Sequence, residues 1–424
     1  MHRYRGVSLV RRPEAARTAL VRHWKGGVKP RTMTANAVVS PIPTSKPRTE
    51  SPTAVNTMVR LVRESFAVVE PHAEQVAQFF YAMLFSIAPS ARDMFPANMQ
   101  VQRSRLLRAL VHVVQMVDRP DDLVPFLRQL GRDHRKFGVV SAHYEAVGMA
   151  LIAAVKRHAG GMWNDETERA WAEAYTIMAR AMLDAAAADD GPAWWPAQVV
   201  DHERIGWDLA VVRVRPDFPV PYVPGQYLSV EVPQRPRLWR YLTPANAPRD
   251  DGVIEFHIRG VDQGWVSRSV VAHTKPGDVW RLGPPMGRIT VDREADRDIL
   301  MIAGGTGIAP MRAIIDHLAQ WGENPHVHLF TGGRVREDLY DLTHLQNVAV
   351  TNPWLTVVPV LENEPDAPGF EHGTLADVVT RYGAWEDRHV LVSGSPAMIR
   401  STVSRMLVAG TPLDHITYDP FTLD

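Results

Sequence analysis

The stretch Leu300-Met-Ile-Ala-Gly-Gly-Thr-Gly-Ile-Ala-Pro-Met311 carries residues in an order suited to one chemical task, the holding of a nucleotide. A short apolar run, Ile299 to Ala303, reads as a buried parallel strand; it breaks at Gly304, Gly305 and Gly307, ahead of a helix-like run from Ala309 to Leu318. Glycines let the backbone approach phosphate oxygens, and the start of the following helix offers unpaired N–H groups and a partial positive charge to an anion. The same turn alone also fits a plain strand-to-helix connection, so its flanks decide.

Those flanks divide the chain into regions of different period. At 424 residues it is too long for one core, and two or three domains are expected. Residues 1–52 are basic and rich in proline, with Arg3, Arg5, Arg11 and Arg12 near the start and Pro41, Pro43, Pro47 and Pro52 near the end. Low apolar content with high charge predicts a disordered leader, and Met33 is a plausible start. From residue 53 to 190 the pattern is helical: Val55, Met58, Val59, Val62 and Phe66 recur at helical spacing, as do Val76, Phe79, Phe80, Met83 and Ile87, then Leu106, Leu107, Leu110, Val113 and Val114. Pro89 with Pro96, Pro120 with Pro125, and Gly160-Gly161 read as breaks between about six helices. Over residues 194–293 the period shortens. Leu209 to Val214, Tyr227 to Val232, Val253 to Ile258 and Val279 to Leu282 are short β-branched runs between Gly and Pro turns, which predicts an antiparallel barrel. Over residues 296–424, strands at Ile299 to Ala303, Val327 to Phe330, Leu355 to Val360 and Val390 to Val392 alternate with helices, the pattern of a doubly wound parallel sheet.

Composition narrows the chemistry. Lys plus Arg and Asp plus Glu both number 47, so no net charge draws the chain to nucleic acid or a membrane surface. Without cysteine, disulfides, iron–sulfur clusters, a thiolate haem ligand and thiol catalysis are excluded, and any metal falls to His, Met, Tyr or carboxylates. The absence of cysteine also fits a reducing cytoplasm. No apolar run nears the roughly 20 residues of a membrane span, and the N-terminus lacks the apolar segment of a secretory signal.

The last two regions resemble the ferredoxin-reductase-like flavin and nicotinamide modules. The residues that carry the likeness are Arg240-Tyr-Leu-Thr243, Gly264-Trp-Val-Ser267, Pro224-Gly-Gln-Tyr227, Gly283-Pro-Pro-Met-Gly287, the glycine turn and Ser393-Gly-Ser-Pro396. The resemblance implies FAD held by Gln226, Tyr227, Arg240, Tyr241, Leu242, Thr243, Gly264, Val266 and Ser267. It places the nicotinamide coenzyme on Gly304, Gly305, Thr306, Gly307, Pro310, Ser393, Gly394 and Pro396. Phe421, in Tyr418-Asp-Pro-Phe421, becomes a gate on the flavin face. Leu242 stands where the family has a stacking Tyr, with Tyr241 beside it as a substitute, and Ser393 stands where Cys is usual. Arg334 and Arg336 follow the second strand where an adenosine phosphate would lie, so NADPH stays open beside NADH.

The helical region resembles a bacterial globin of the kind fused to such reductases in flavohaemoglobins. Phe79-Phe-Tyr81, Met94-Phe95, Gln102 with Leu106 and Leu107, and Gly131-Arg-Asp-His-Arg-Lys-Phe-Gly138 leading to His143-Tyr144 carry it. It implies haem b with His134 as the proximal iron ligand, Tyr81 and Gln102 on the distal side, Phe95 and Leu106 against the porphyrin, and Tyr144 near the ligand. Asp133 replaces a Lys before the ligand, and Ala186 stands where a Glu completes the proximal hydrogen bonds. The whole resemblance implies a cytoplasmic enzyme that passes electrons from NADH through FAD to haem and oxidises nitric oxide with oxygen to nitrate. Two alternatives stay open: a haem–flavin reductase of peroxides, lipids or nitrite, and a globin redox or gas sensor.

Overall fold

The computed structural model describes residues 52–262, 264–292 and 297–419, with side chains from residue 55. The expected leader over 1–52 and the expected gate at Phe421 therefore fall outside the described residues, Pro52 apart.

Six α-helices form the first layer: α1 (Pro52–Val69), α2 (Ala73–Ile87), α3 (Gln100–Met116), α4 (Pro120–His134), α5 (Ser141–Ala159) and α6 (Asp165–Ala187). Met58, Val59, Val62 and Phe66 line the buried face of α1 as their spacing predicts, while Val55 and Ile87 remain exposed at helix ends. Their core closes on Trp171, whose indole N–H donates to Ser65 Oγ across 2.9 Å and so leaves no buried donor unpaired. One expected break is corrected: Pro125 lies inside α4, where it removes a single N–H···O bond, and Pro120 at the first position starts the helix instead.

The second region is a sheet of β1 (Trp195–Arg204), β2 (Leu209–Pro216), β3 (Tyr227–Glu231), β4 (Arg240–Leu242), β5 (Ile254–Arg259) and β6 (Val279–Met286), with α7 (Trp265–His273) between the last two. Its order is β4-β3-β6-β1-β2-β5, all antiparallel, and a bridge from Pro244 to Phe256 brings the two edges together into a nearly closed barrel. Strands β1 and β4 were not predicted. Strand β1 carries Pro196 and a polar run, Asp201 to Arg204, that masks its period; β4 is only three residues long, and both are fixed by their neighbours' ladders.

The third region is built from β7 (Ile299–Gly304), α8 (Ile308–Leu318), β8 (Val327–Gly333), α9 (Leu342–Thr351), β9 (Leu355–Leu361), β10 (Glu371–His372), α10 (Leu375–Arg381), β11 (His389–Ser393), α11 (Pro396–Ala409) and β12 (Ile416–Tyr418). The sheet runs β10-β9-β8-β7-β11-β12 with every pair parallel. Its central strands are apolar throughout because helices cover both faces: Ile299 and Met301 face one buried cluster, Leu300 and Ile302 the other. No single described helix is long and apolar enough to cross a membrane.

Candidate functional site

His134 closes the last turn of α4. Asp121 and Asp122 in the first turn and Arg132 in the last complement the helix dipole. A Cβ on Gly131 would come within 2.2 Å of the Met182 carbonyl oxygen, so the glycine lets α4 lie directly on α6 and sets how deep His134 sits. The ring nitrogen Nδ1 lies 2.8 Å from the Leu130 carbonyl, one turn back. A carbonyl only accepts, so Nδ1 carries the proton and Nε2 keeps its lone pair for a metal. Burial lowers the His134 pKa, more than Asp133 and the Leu130 carbonyl raise it, and the imidazole stays neutral.

The residues expected on the distal side lie on α2 and α3 and between them. Tyr81 is buried, in edge contact with Phe80 and Phe95 at ring separations of 4.9 and 5.5 Å, and its hydroxyl lies 3.4 Å from the Gln102 carbonyl. Burial pushes the phenol pKa far up, so it keeps its proton and remains a donor. Leu106, Leu110 and Val111 on α3, with Phe95 and Met99 before it, pack only in part against the helical core. A partly buried apolar surface and a neutral imidazole with an open Nε2 in the same helical domain fit a haem, and the donor set fits iron. Tyr144 is buried on α5; its carbonyl accepts from the Tyr175 hydroxyl at 2.5 Å, and among the described residues no carboxylate meets its own hydroxyl.

Across from α4 lie the turns expected to hold the flavin. On β3 and β4, Leu228 pairs with Leu242, Ser229 with Tyr241 and Val230 with Arg240, so Tyr241 points to the opposite face from its two neighbours. Leu242 packs against the barrel core, whereas the Tyr241 ring meets that of Tyr227 at 4.9 Å, inclined by 60°. Arg240 donates to the Trp239 carbonyl at 2.9 Å, Thr243 is half-buried, and Gln226 caps its own turn by accepting from the Val223 N–H at 2.9 Å. Val266 is buried in the barrel core, while Ser267 Oγ sits 3.4 Å from the Gly264 carbonyl. Gly287, at φ 112°, faces the Asp419 carboxylate, where a Cβ would stand 2.7 Å from Oδ2. A cleft of about 150 Å³ separates α4 from these turns, lined by Gln129, Arg132 and Asp133 on one side and by Gln226 and the 284–287 turn on the other. The Arg132 guanidinium, the two Gln amides and the Gly287 turn give this cleft the polar donors that part of a flavin nucleotide needs.

The glycine turn sits where the strand order reverses, β7 having β8 on one side and β11 on the other. In open α/β sheets that crevice is where ligands bind. Gly305 takes φ 55°, and a Cβ on Gly307 would meet the Ser393 carbonyl oxygen at 2.5 Å, so the two expected coenzyme turns touch. Thr306 is half-buried, Pro310 is buried in α8, Pro396 starts α11, and Ser395 caps it through the Met398 N–H. Sequence reading missed a cluster behind this crevice. Glu255 and His257 on β5 meet Arg312 on α8 and Tyr340 ahead of α9; the signal available was three charged positions, Glu255, His257 and Arg259, on one face of a buried strand.

Comparison with known proteins follows the same three regions. A globin family model matches residues 78–182, an oxidoreductase FAD-binding domain model residues 196–291, and an oxidoreductase NAD-binding domain model residues 301–404. The flavohemoprotein of Bacillus subtilis is 22% identical over 387 residues, covering 86% of this chain and 97% of its own. The chain belongs to the flavohaemoglobin family. The flavohemoprotein of Bordetella parapertussis is 29% identical over 280 residues, covering 61% of this flavohaemoglobin and 69% of its relative. The ferredoxin–NAD(P)+ reductase component of the naphthalene 1,2-dioxygenase system of Pseudomonas putida is 31% identical over 227 residues, 53% of this chain and 67% of that one. A crystal structure of flavohemoglobin from Malassezia yamatoensis with bound FAD and heme shares the fold at a TM-score of 0.71 and 16% identity, over 86% of this chain and 98% of that one. This flavohaemoglobin is accordingly an NAD(P)H-, FAD- and haem-dependent oxidoreductase, built as an all-α globin, an antiparallel barrel and a parallel α/β domain.

Proposed function

We propose that the chain is a nitric oxide dioxygenase, converting nitric oxide and oxygen to nitrate with electrons from NADH. The observation that carries this reading is His134: neutral, its Nδ1–H committed to Leu130, its Nε2 directed away from the helix backbone, in a chain that also holds a flavin and nicotinamide module. Bound there, haem supplies the one-electron and oxygen chemistry, and the chain supplies position and field. Tyr81, and Gln102 beside it, offer a protonated donor to charge developing on the far side of the iron site. Phe95 and Leu106 exclude water, and Arg240, Thr243, Gly264 and Ser267 hold the flavin against the barrel. Gly304 to Gly307, Pro310 and the Ser393 to Pro396 turn present the nicotinamide. We divide the chain for this purpose at 53–190, 194–293 and 296–424.

NADH is favoured as donor because Arg336 is already engaged: its Nε donates to Glu364 Oε2 at 3.1 Å and its backbone N–H to Oε1 at 2.9 Å. A carboxylate held there repels a second phosphate on the adenosine ribose. The cysteine-free sequence supports a cytoplasmic setting.

Replacing His134 by Ala should abolish the Soret band and nitric oxide turnover while NADH-dependent ferricyanide reduction continues; full nitric oxide activity in H134A would refute the assignment. The lack of a carboxylate partner for the Tyr144 hydroxyl favours a second reading, a haem–flavin reductase of peroxides, lipids or nitrite. Stopped-flow mixing of the oxygenated protein with nitric oxide separates them, since slow decay supports the second.

A further inference from the structure

A buried ion pair lies between the proximal helix and the flavin barrel, with its carboxylate, Asp133, at the edge of the cleft that fits the flavin. Lys136 Nζ stands 2.6 Å from Asp133 Oδ1, with side chains 2% and 8% exposed. The ammonium is walled by aromatic rings, 5.0 Å from the centroids of Phe137 and Trp239 and 5.9 Å from Tyr241. Phe137 belongs to the globin, whereas Trp239 and Tyr241 belong to the barrel, and Ser229 Oγ on β3 donates to the same Asp133 oxygen across 3.3 Å. The grip is thus complete only when the two domains are docked.

The cage also touches both ends of the electron route. The Phe137 ring lies 5.8 Å from the His134 ring and 6.2 Å from Trp239, and Tyr241 lies 4.9 Å from Tyr227. A buried ammonium is costly unless paired, and cation–π contact adds most where water is excluded. Arg105 also donates to the Trp239 carbonyl across 3.5 Å, and Arg237 reaches the Asp93 and Phe95 carbonyls at the exposed rim, where polar contacts hold little.

We propose that Lys136 is the positioning residue for electron passage between the domains. Its ammonium, held by Asp133 and the ring cage, fixes the spacing between the helix that carries His134 and the strand that carries Arg240 and Tyr241. This rests on the reading that flavin electrons reach iron at His134. Each hydride taken from NADH would bring two electrons and a proton. The electrons would leave the flavin one at a time for the single iron site, which is reoxidised between them, the proton would pass to water, and no bond to the protein forms or breaks. The rate of such a passage falls steeply with distance, so the docking contact sets it.

The test uses the full chain loaded with haem and FAD. K136M should keep its Soret band, its flavin absorbance and its NADH–ferricyanide rate, yet slow NADH-driven haem reduction about tenfold or more. Its haem midpoint potential should fall, because an uncompensated Asp133 carboxylate stabilises ferric iron. D133N should raise the midpoint, and D133N/K136M should restore the midpoint but not the rate; K136R should recover part of the rate. W239L removes a wall of the cage and no charge, so it should slow haem reduction without moving the midpoint, and it carries the test where K136M does not fold. Native rates of haem reduction in K136M and W239L would overturn the proposal. Native protein whose flavin is reduced while its haem stays ferric would overturn the underlying route, in the wild-type arm alone.

Discussion

Arg312 Nη1 lies 2.8 Å from Glu255 Oε1, which ties the helix behind the glycine turn to a strand of the flavin barrel. Arg213 Nε reaches the other Glu255 oxygen at 2.6 Å, and His257 Nε2 lies 3.1 Å from the first. The crevice at the glycine turn is therefore tied to the barrel by a cluster of buried charge.

Burial alone would raise the Glu255 pKa, but His257, Arg312 and Arg213 outweigh it and hold the carboxyl well below its usual range. A depressed carboxylate contributes stability above its unfolded pKa and loses it as pH falls through the folded one. E255Q should cost about 3 kcal/mol near neutrality, because it strands two guanidinium groups. Thermal unfolding followed by tryptophan fluorescence should show the gap between native protein and variant narrowing only in strong acid.

Tyr81 keeps its proton because burial disfavours the phenolate. Y81F removes the donor and retains the ring contacts with Phe80, Phe85 and Phe95. Oxygen should leave the reduced protein about tenfold faster, the cost of one hydrogen bond to a charged acceptor. Flash photolysis would read it, with the Soret band and flavin reduction unchanged.

Gly131 allows α4 to press on the backbone of α6 at Met182. Ala there forces the helices apart, at a cost of about 2 kcal/mol to the globin. Because His134 rides on the same helix, haem should be retained less well; haem transfer to an acceptor globin should run faster from G131A than from the native protein.

Asp419 is 3% exposed, and burial pushes its pKa up to about 6 although the Arg288 and Ile289 N–H groups oppose the rise. A raised carboxyl favours the folded state fully below the unfolded pKa and loses that contribution as pH rises through the folded value. D419N should therefore gain on the native protein as pH passes upward through about 6, by at most roughly 3 kcal/mol. A melting difference that stays flat from pH 4 to 8 would sink this account.

Much of the fold was legible in the chain itself. Local periodicity separated helices from strands, and the glycine turn fell where a tight approach and a positive φ are needed, at Gly305 and Gly307. Strand β4 escaped because three residues hold no period, and Pro125 misled because proline is tolerated near a helix start.

The sequence by itself determined the element types and the order of the three domains, because these rest on periodicity along the chain, while the residues expected at iron, flavin and coenzyme followed from the family resemblance. Only the tertiary structure decided how the parts meet. It put Leu130 under His134, turned Tyr241 outward and Leu242 inward on β4, set Gly307 against Ser393, and gathered Lys136 with Trp239 and Glu255 with Arg312 from distant segments. Such pairings depend on burial and on the mutual placement of domains, where a charge finds its partner only after water has been expelled, and no local pattern records that outcome.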